Sequence, residues 1–193
     1  MIALINYNAG NITSVKNAIE RLGFSCFITD NADEIRAAAK VIFPGVGEAS
    51  SAMQYLKAKG LDQVICSLTQ PVLGICLGQQ LLCQFSEEGN TTCLGIFPVQ
   101  VKKFPPLDIV PHMGWNTLNL NGSSHLLNGI QEDDDVYFVH SYYCEASNYS
   151  LATCNYILPF SAAMQKDNFY ATQFHPEKSA GIGERILLNF LEL

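Results

Sequence analysis

Pro71-Val72-Leu73-Gly74-Ile75-Cys76-Leu77-Gly78-Gln79-Gln80-Leu81-Leu82 is the stretch on which the architecture turns. Residues 71–75 form a short apolar run that reads as a buried strand. Leu77 to Phe85 reads as a helix. Between them Gly74 and Gly78 flank Cys76, the G-x-nucleophile-x-G pattern of a strand–turn–helix elbow with Cys in place of Ser. A sharp turn of this kind leaves no room for side chains beside the nucleophile. It also aims the first amides of the helix at the reaction centre, where they can stabilise an oxyanion. Alone, G-x-C-x-G arises by chance in many proteins. Its position between a strand and a helix sets this one apart.

The same alternation recurs on the N-terminal side of this stretch. Ile2 to Ile5 reads as a strand and Asn6 to Asn11 as a loop. Ile12, Val15, Ile19 and Leu22 fall at helical spacing, with Gly23 as the stop. Phe24 to Ile28 is a second strand, and Asn31 caps a helix running to Ala39. Val41 to Phe43 is a third strand, cut off by Pro44-Gly45-Val46-Gly47. Ala49 to Leu68 reads as helical with a break at Gly60. Strands alternating with helices at these lengths predict βαβ units and a parallel sheet. Ligands bind such sheets beyond the carboxyl ends of the strands. Two loops lie there: the turn at Cys76, and Pro44–Gly47, whose glycines free the backbone to present an N–H to an oxyanion. An ordinary tight loop fits the latter equally.

The second half changes character. Residues 99–104, 115–120, 136–139, 150–156, 161–165 and 169–174 read as strands, with Lys166-Asp167-Asn168 as the turn of a hairpin. A helix over 181–191 closes the chain. There is no repeat or low-complexity segment, and Pro105-Pro106 is too short for a linker. We therefore expect a single domain over residues 1–193.

Composition excludes several classes. The 193 residues carry 11 basic and 18 acidic side chains, a net charge of −7, and only 15 % charged against 48 % apolar types. Disordered chains show the reverse balance, and no basic excess or patch suggests nucleic acid. No uninterrupted apolar run comes near the roughly 18 residues of a transmembrane helix. Seven cysteines, at 26, 66, 76, 83, 93, 144 and 154, are odd in number and include no C-x-x-C pair. Neither a disulfide framework nor a metal site is expected. A start without a basic segment or cleavage site predicts a cytoplasmic, reducing location. The low charge also leaves room for an apolar surface that a partner covers.

A thiolate nucleophile needs a base, and the base an orienting group. His125 lies in a polar Gly-Ser-Ser context and reads as surface, while His112 and His140 sit among aromatics. His175 ends a strand before Pro176, which biases it to extended geometry. Residues i and i+2 of an extended segment point the same way, so Glu177 can reach His175. Cys76, His175 and Glu177 are thus a triad candidate. A Pro-containing loop with a solvated Glu177 fits the same residues.

Gly74 to Gln80 together with Gln173-Phe174-His175-Pro176-Glu177-Lys178-Ser179 resembles the class I (triad) glutamine amidotransferases, over essentially the whole chain. Further stretches are similar to the histidine-biosynthesis branch: Gly10 to Gly23, Pro44 to Gly47, Ser86 to Gly89, Gly95 to Pro98, Pro111 to Asn116 and Tyr137 to Tyr142. Pro111-His112-Met113-Gly114-Trp115-Asn116 is the most specific. The resemblance implies a flavodoxin-like α/β fold, with a mainly parallel central sheet flanked by helices and additional antiparallel strands in the C-terminal half. It implies Cys76, His175 and Glu177 as catalytic residues. Val46, Gly47 and Leu77 would form the oxyanion hole, and Gly47, Gln80, Ser141 and Tyr142 would bind glutamine. It implies no cofactor. Ammonia would pass to a separate cyclase subunit, a (βα)8 barrel, in a heterodimer forming imidazole glycerol phosphate. Asn11, Met113, Gly114, Trp115, Asn116 and Lys178 would face that partner. A solvated Gln80, a packing Tyr142 and a core Trp115 are the ordinary alternatives.

The chain departs from the branch at Asn6-Tyr7-Asn8 (usually Asp-Tyr-Gly), Glu48-Ala49 (Ala-Phe), Gln79 (Met) and Val110 (a basic residue). Asn8 and Val110 lie where the partner is expected. That leaves open a paralogous branch that supplies ammonia for sugar amination in surface-polysaccharide synthesis. A cysteine peptidase or deglycase sharing the elbow, and a non-catalytic binding subunit, are the competing classes. The His175-Pro176-Glu177 end and the Gln80 position argue against the first, and the intact set of Cys76, His175 and Glu177 against the second.

Overall fold

A computed structural model of the chain describes residues 1–7 and 9–193; Asn8 lies outside them. The first half alternates as expected: Ile2–Ile5 (β1), Ile12–Arg21 (α1), Cys26–Thr29 (β2), Ala32–Ala37 (α2), Lys40–Gly45 (β3), Ala49–Ala58 (α3), Leu61–Cys66 (α4), Val72–Cys76 (β4) and Leu77–Leu82 (α5). Asn31 caps α2 by accepting from the amides of Asp33 and Glu34. Gly60, at φ 67°, separates α3 from α4. Then follow Cys83–Ser86 (β5), Thr91–Thr92 (β6), Phe97–Lys103 (β7), His112–Thr117 (β8), Asn119–Leu120 (β9), Asp135–His140 (β10), Tyr142–Cys144 (β11), Ser150–Asn155 (β12), Pro159–Lys166 (β13), Phe169–Thr172 (β14) and Ala180–Leu191 (α6).

One eight-stranded sheet draws on both halves, in the order β2-β1-β3-β4-β14-β13-β12-β9. Its first five strands are parallel, and β13, β12 and β9 add antiparallel pairings at the far side. The parallel strands are apolar on both faces because each face is covered. Ile2, Leu4, Ile42, Leu73 and Ile75 enter one core with α1 and α6. The alternate residues Ala3, Ile5, Val41, Phe43 and Val72 enter the other, with α2 to α5.

Register positions the site. β3 runs on through Pro44 so that Gly45 lies opposite Cys76, and the Val46–Gly47 loop emerges beside the elbow. On the other flank of β4, Thr172 of β14 lies opposite Ile75, which brings residues 173–177 to the same end of the sheet.

Two local expectations are corrected. The helix expected to run to Phe85 stops at Leu82. Cys83–Ser86 is a strand because it pairs with β6 and β7, and such pairing overrides local propensity. The strand expected over 115–120 is two strands in different sheets, β8 against β10 and β9 against β12, with buried Leu118 between them. The small sheet β11-β7-β5-β6 includes β11, which the pattern reading missed, three residues being too few to show a period.

Candidate active site

Cys76 joins β4 to α5 at φ 54°, ψ −106°, a left-handed geometry costly for a residue with a Cβ, on the order of 1–3 kcal/mol. Its surroundings enforce it. A Cβ on Gly78 would lie 1.8 Å from the Phe43 carbonyl oxygen, and one on Gly74 would lie 2.9 Å from the Gly78 backbone. The glycines let α5 press against β3 and β4, which leaves Cys76 at the end of the strand.

His175 and Glu177 follow β14. His175 Nδ1 lies 2.7 Å from Glu177 Oε1, with both side chains essentially inaccessible. Neither His175 Nε2 nor Glu177 Oε2 has a hydrogen-bond partner among the described residues. Burial disfavours charge on His175, but the neighbouring Cys76 sulfur and the Glu177 carboxylate outweigh it and push the imidazolium up to about 10.

Asn11, expected at a partner surface, is half-buried at the start of α1. Its side chain makes no cap bond and donates instead to Glu177 Oε1. Gln173, to which the sequence assigned no role, is fully buried, with its Nε2 3.7 Å from Cys76 Sγ. A buried amide two residues before the histidine was the available signal.

A cavity of about 310 Å³ opens over the sulfur, lined by Val46, Gly47, Cys76, Leu77, Gln80, Pro111, Ser141 and Tyr142 among others. Small-molecule sites begin near this size. Gln80 is buried and donates to the Tyr142 carbonyl at 2.9 Å; Ser141 and Tyr142 are half-buried. The Val46 carbonyl accepts from the Gly10 amide at 3.0 Å, which turns the Gly47 N–H of the same peptide away from Gly10. Gly47, at φ 149°, occupies backbone space that favours glycine.

Behind the cavity the β8–β10 ribbon alternates. Met113 and Trp115 are 62 % and 53 % exposed, while His112 turns inward. Lys178 is exposed, and Gly114 and Asn116 are half-buried. Leu107 and Ile109, 80 % and 76 % exposed, add apolar surface that the sequence did not single out.

Inside, the protons of the His112–His140 pair follow from one carbonyl. Tyr142 O can only accept, so His140 Nδ1 donates to it at 2.7 Å. His140 Nε2 then accepts from His112 Nδ1 at 3.0 Å, and His112 Nε2 accepts from the Asn116 amide at 3.3 Å. Burial pushes His112 down to about 4 and His140 down to about 3. Unfolded histidines bind protons near 6.5, so the unfolded state takes up protons the native pair refuses, and stability falls as pH drops below about 6.5. By pH 5 we expect a loss of about 1–2 kcal/mol per histidine. Denaturation midpoints should show this. A His112→Asn, His140→Asn double variant should start less stable at pH 7.5 and lose less on acidification; an equal acid slope would contradict the assignment.

The family described as glutamine amidotransferase class-I matches residues 3–193. The chain is 58 % identical to an imidazole glycerol phosphate synthase subunit HisH of Bacteroides fragilis, over 100 % of this chain and 99 % of that one. It is 50 % identical to a subunit HisH 2 of Legionella pneumophila, over 100 % and 98 % of the two chains. Among solved structures it is similar to a glutamine amidotransferase with a TM-score of 0.77 at 18 % identity, covering 100 % and 98 % of the two chains, a likeness of fold.

Proposed function

The chain belongs to the class-I glutamine amidotransferase family, and from that premise we propose how its site works and what it serves. It is the glutaminase subunit of an imidazole glycerol phosphate synthase. It hydrolyses glutamine to glutamate and ammonia, for a cyclase that forms imidazole glycerol phosphate and AICAR in histidine biosynthesis. The observation that carries this reading is Cys76 in the lining of the cavity with the buried His175–Glu177 pair beside it, in a chain 58 % identical throughout to a HisH subunit. The described relatives are histidine-pathway subunits, which favours that route over sugar amination.

Cys76 passes its proton to His175 and attacks the side-chain amide carbon of glutamine as the thiolate. The amide oxygen takes the negative charge between the Leu77 N–H and a backbone N–H of the Val46–Gly47 loop. His175 gives that proton to the departing nitrogen, and ammonia leaves a glutamyl thioester on Cys76. His175 then takes a proton from water, whose oxygen attacks the thioester. The tetrahedral intermediate collapses to glutamate, the Cys76 thiolate and protonated His175. Glu177, steadied by Asn11, holds the imidazole in place throughout. Gly47, Gln80, Ser141 and Tyr142 hold the amino-acid end of the substrate.

Ammonia, not ammonium, is the nucleophile downstream, so a covered passage is needed. Met113 and Trp115, with Gly114, Asn116, Asn11 and Lys178 nearby in the same reading, form the docking face for a (βα)8-barrel cyclase in a heterodimer. All residues from 1 to 193 serve this as one domain. No described helix is long and apolar enough to cross a membrane, and we place the protein in the cytoplasm with its small, soluble substrate.

The test is glutamine hydrolysis by the purified chain, alone and with the cyclase subunit and its nucleotide ligand. Strong stimulation by both is expected. Trp115→Ala should lower the affinity for the cyclase while leaving the unstimulated rate in place. No stimulation by the cyclase would remove the pathway assignment.

A further inference from the structure

We propose that Gln173 is a positioning residue. It presents an N–H to the Cys76 sulfur and fixes which end of the Gln80 amide faces the cavity. The parallel register of β14 with β4 sets Gln173 beside Cys76, and its backbone N–H is bound to the Ala162 carbonyl at 2.8 Å. Its side chain is fully buried, so both amide ends must find partners.

The orientation of both glutamines follows from donor and acceptor chemistry. The Tyr142 carbonyl can only accept, so the group facing it at 2.9 Å is the Gln80 NH2. The other hydrogen of that nitrogen points to Gln173 at 3.0 Å, which must answer with its oxygen. The Gln173 NH2 is left facing the sulfur at 3.7 Å. An N–H donor stabilises a thiolate more than a thiol. The same chain uses both hydrogens of the Gln80 amide and leaves its carbonyl oxygen for the cavity it lines. That free acceptor suits an ammonium group and would repel a carboxylate. The sulfur and the amino-acid end of the pocket are thus set by one carbonyl, through Gln173, and neither His175 nor Glu177 takes part. This rests on the glutaminase reading above.

Two variants of the full chain, each assayed with the cyclase subunit present, test it. Gln173→Met fills the volume without either polar contact. Gln173→Glu keeps the oxygen that Gln80 needs but places a second oxygen against the sulfur. Both should lower kcat for glutamine hydrolysis on the order of 10- to 100-fold, less than loss of an oxyanion-hole donor. Both should also slow alkylation of Cys76 by iodoacetamide at pH 7.5 and move its pH midpoint upward. Gln173→Met should in addition raise KM, because Gln80 loses its anchor, whereas Gln173→Glu should change KM less. A purely structural role would lower the thermal midpoint without moving the alkylation profile. If Gln173→Met fails to fold, Gln173→Glu decides. Wild-type kcat and alkylation in whichever variant folds overturn the proposal, provided Cys76→Ala is inactive in the same assay. Activity in Cys76→Ala would instead overturn the glutaminase reading itself.

Discussion

Cys76→Ala is expected to remove glutamine hydrolysis almost entirely, on the order of 10⁵-fold or more in kcat, as when the nucleophile of a hydrolytic triad is deleted. The reason is structural as well as chemical. The elbow places Cys76 at the end of β4, and it is the one cysteine among the described residues that line the cavity over it. The fold should survive. Alanine carries the same Cβ as cysteine, so the left-handed backbone at position 76 is strained no further. The check is steady-state hydrolysis with cyclase present, beside a thermal melt and trapping of the thioester by mass spectrometry. Activity within tenfold of the wild type in a folded variant would end the mechanism proposed here.

Gly78→Ala is expected to cost more stability than any other single methyl added at the site. The new Cβ would lie 1.8 Å from the Phe43 carbonyl oxygen and 3.0 Å from its carbon. Neither atom can yield easily, because Phe43 lies in β3, hydrogen-bonded between β1 and β4. The short helix α5 must move instead, carrying the Leu77 amide and the sulfur with it. We expect a loss of about 3 kcal/mol or more, at the upper end for overpacking. That lowers the melting midpoint by roughly 6–12 °C for a chain of this size, with loss of hydrolysis. Gly181→Ala is the control: its Cβ meets nothing within 4 Å, and alanine favours a helix over glycine. Equal melting behaviour of the two variants would show that the close approach at Gly78 is not what shapes the elbow.

Much of the fold was legible because the parallel strands and their helices leave strong local traces. The apolar runs at 2–5, 41–43 and 72–75 are continuous since both sheet faces are covered. Asn31 and Gly60 mark boundaries by local backbone chemistry. The elbow was legible because its glycines are required by the turn they occupy. The failures are equally physical. Cys83–Phe85 carries residues that extend α5 in a periodicity count, yet pairing with β6 and β7 makes them a strand. Residues 115–120 read as one strand because the crossing between two sheets at Leu118 leaves no mark in an apolar pattern.

By itself, then, the sequence determined an α/β chain with a cysteine elbow and a His-x-Glu segment at strand ends, because those features are written within a few residues of one another. The tertiary structure alone decided what lies across from them. Strand register brings Gln173 to the sulfur, the fold turns Asn11 onto Glu177, and one carbonyl at Tyr142 orients His140 and Gln80 together. These partners lie up to 166 positions apart in the chain. No local periodicity can encode such pairs, since they are chosen by packing and by the donor and acceptor groups left to be satisfied once the sheet has closed.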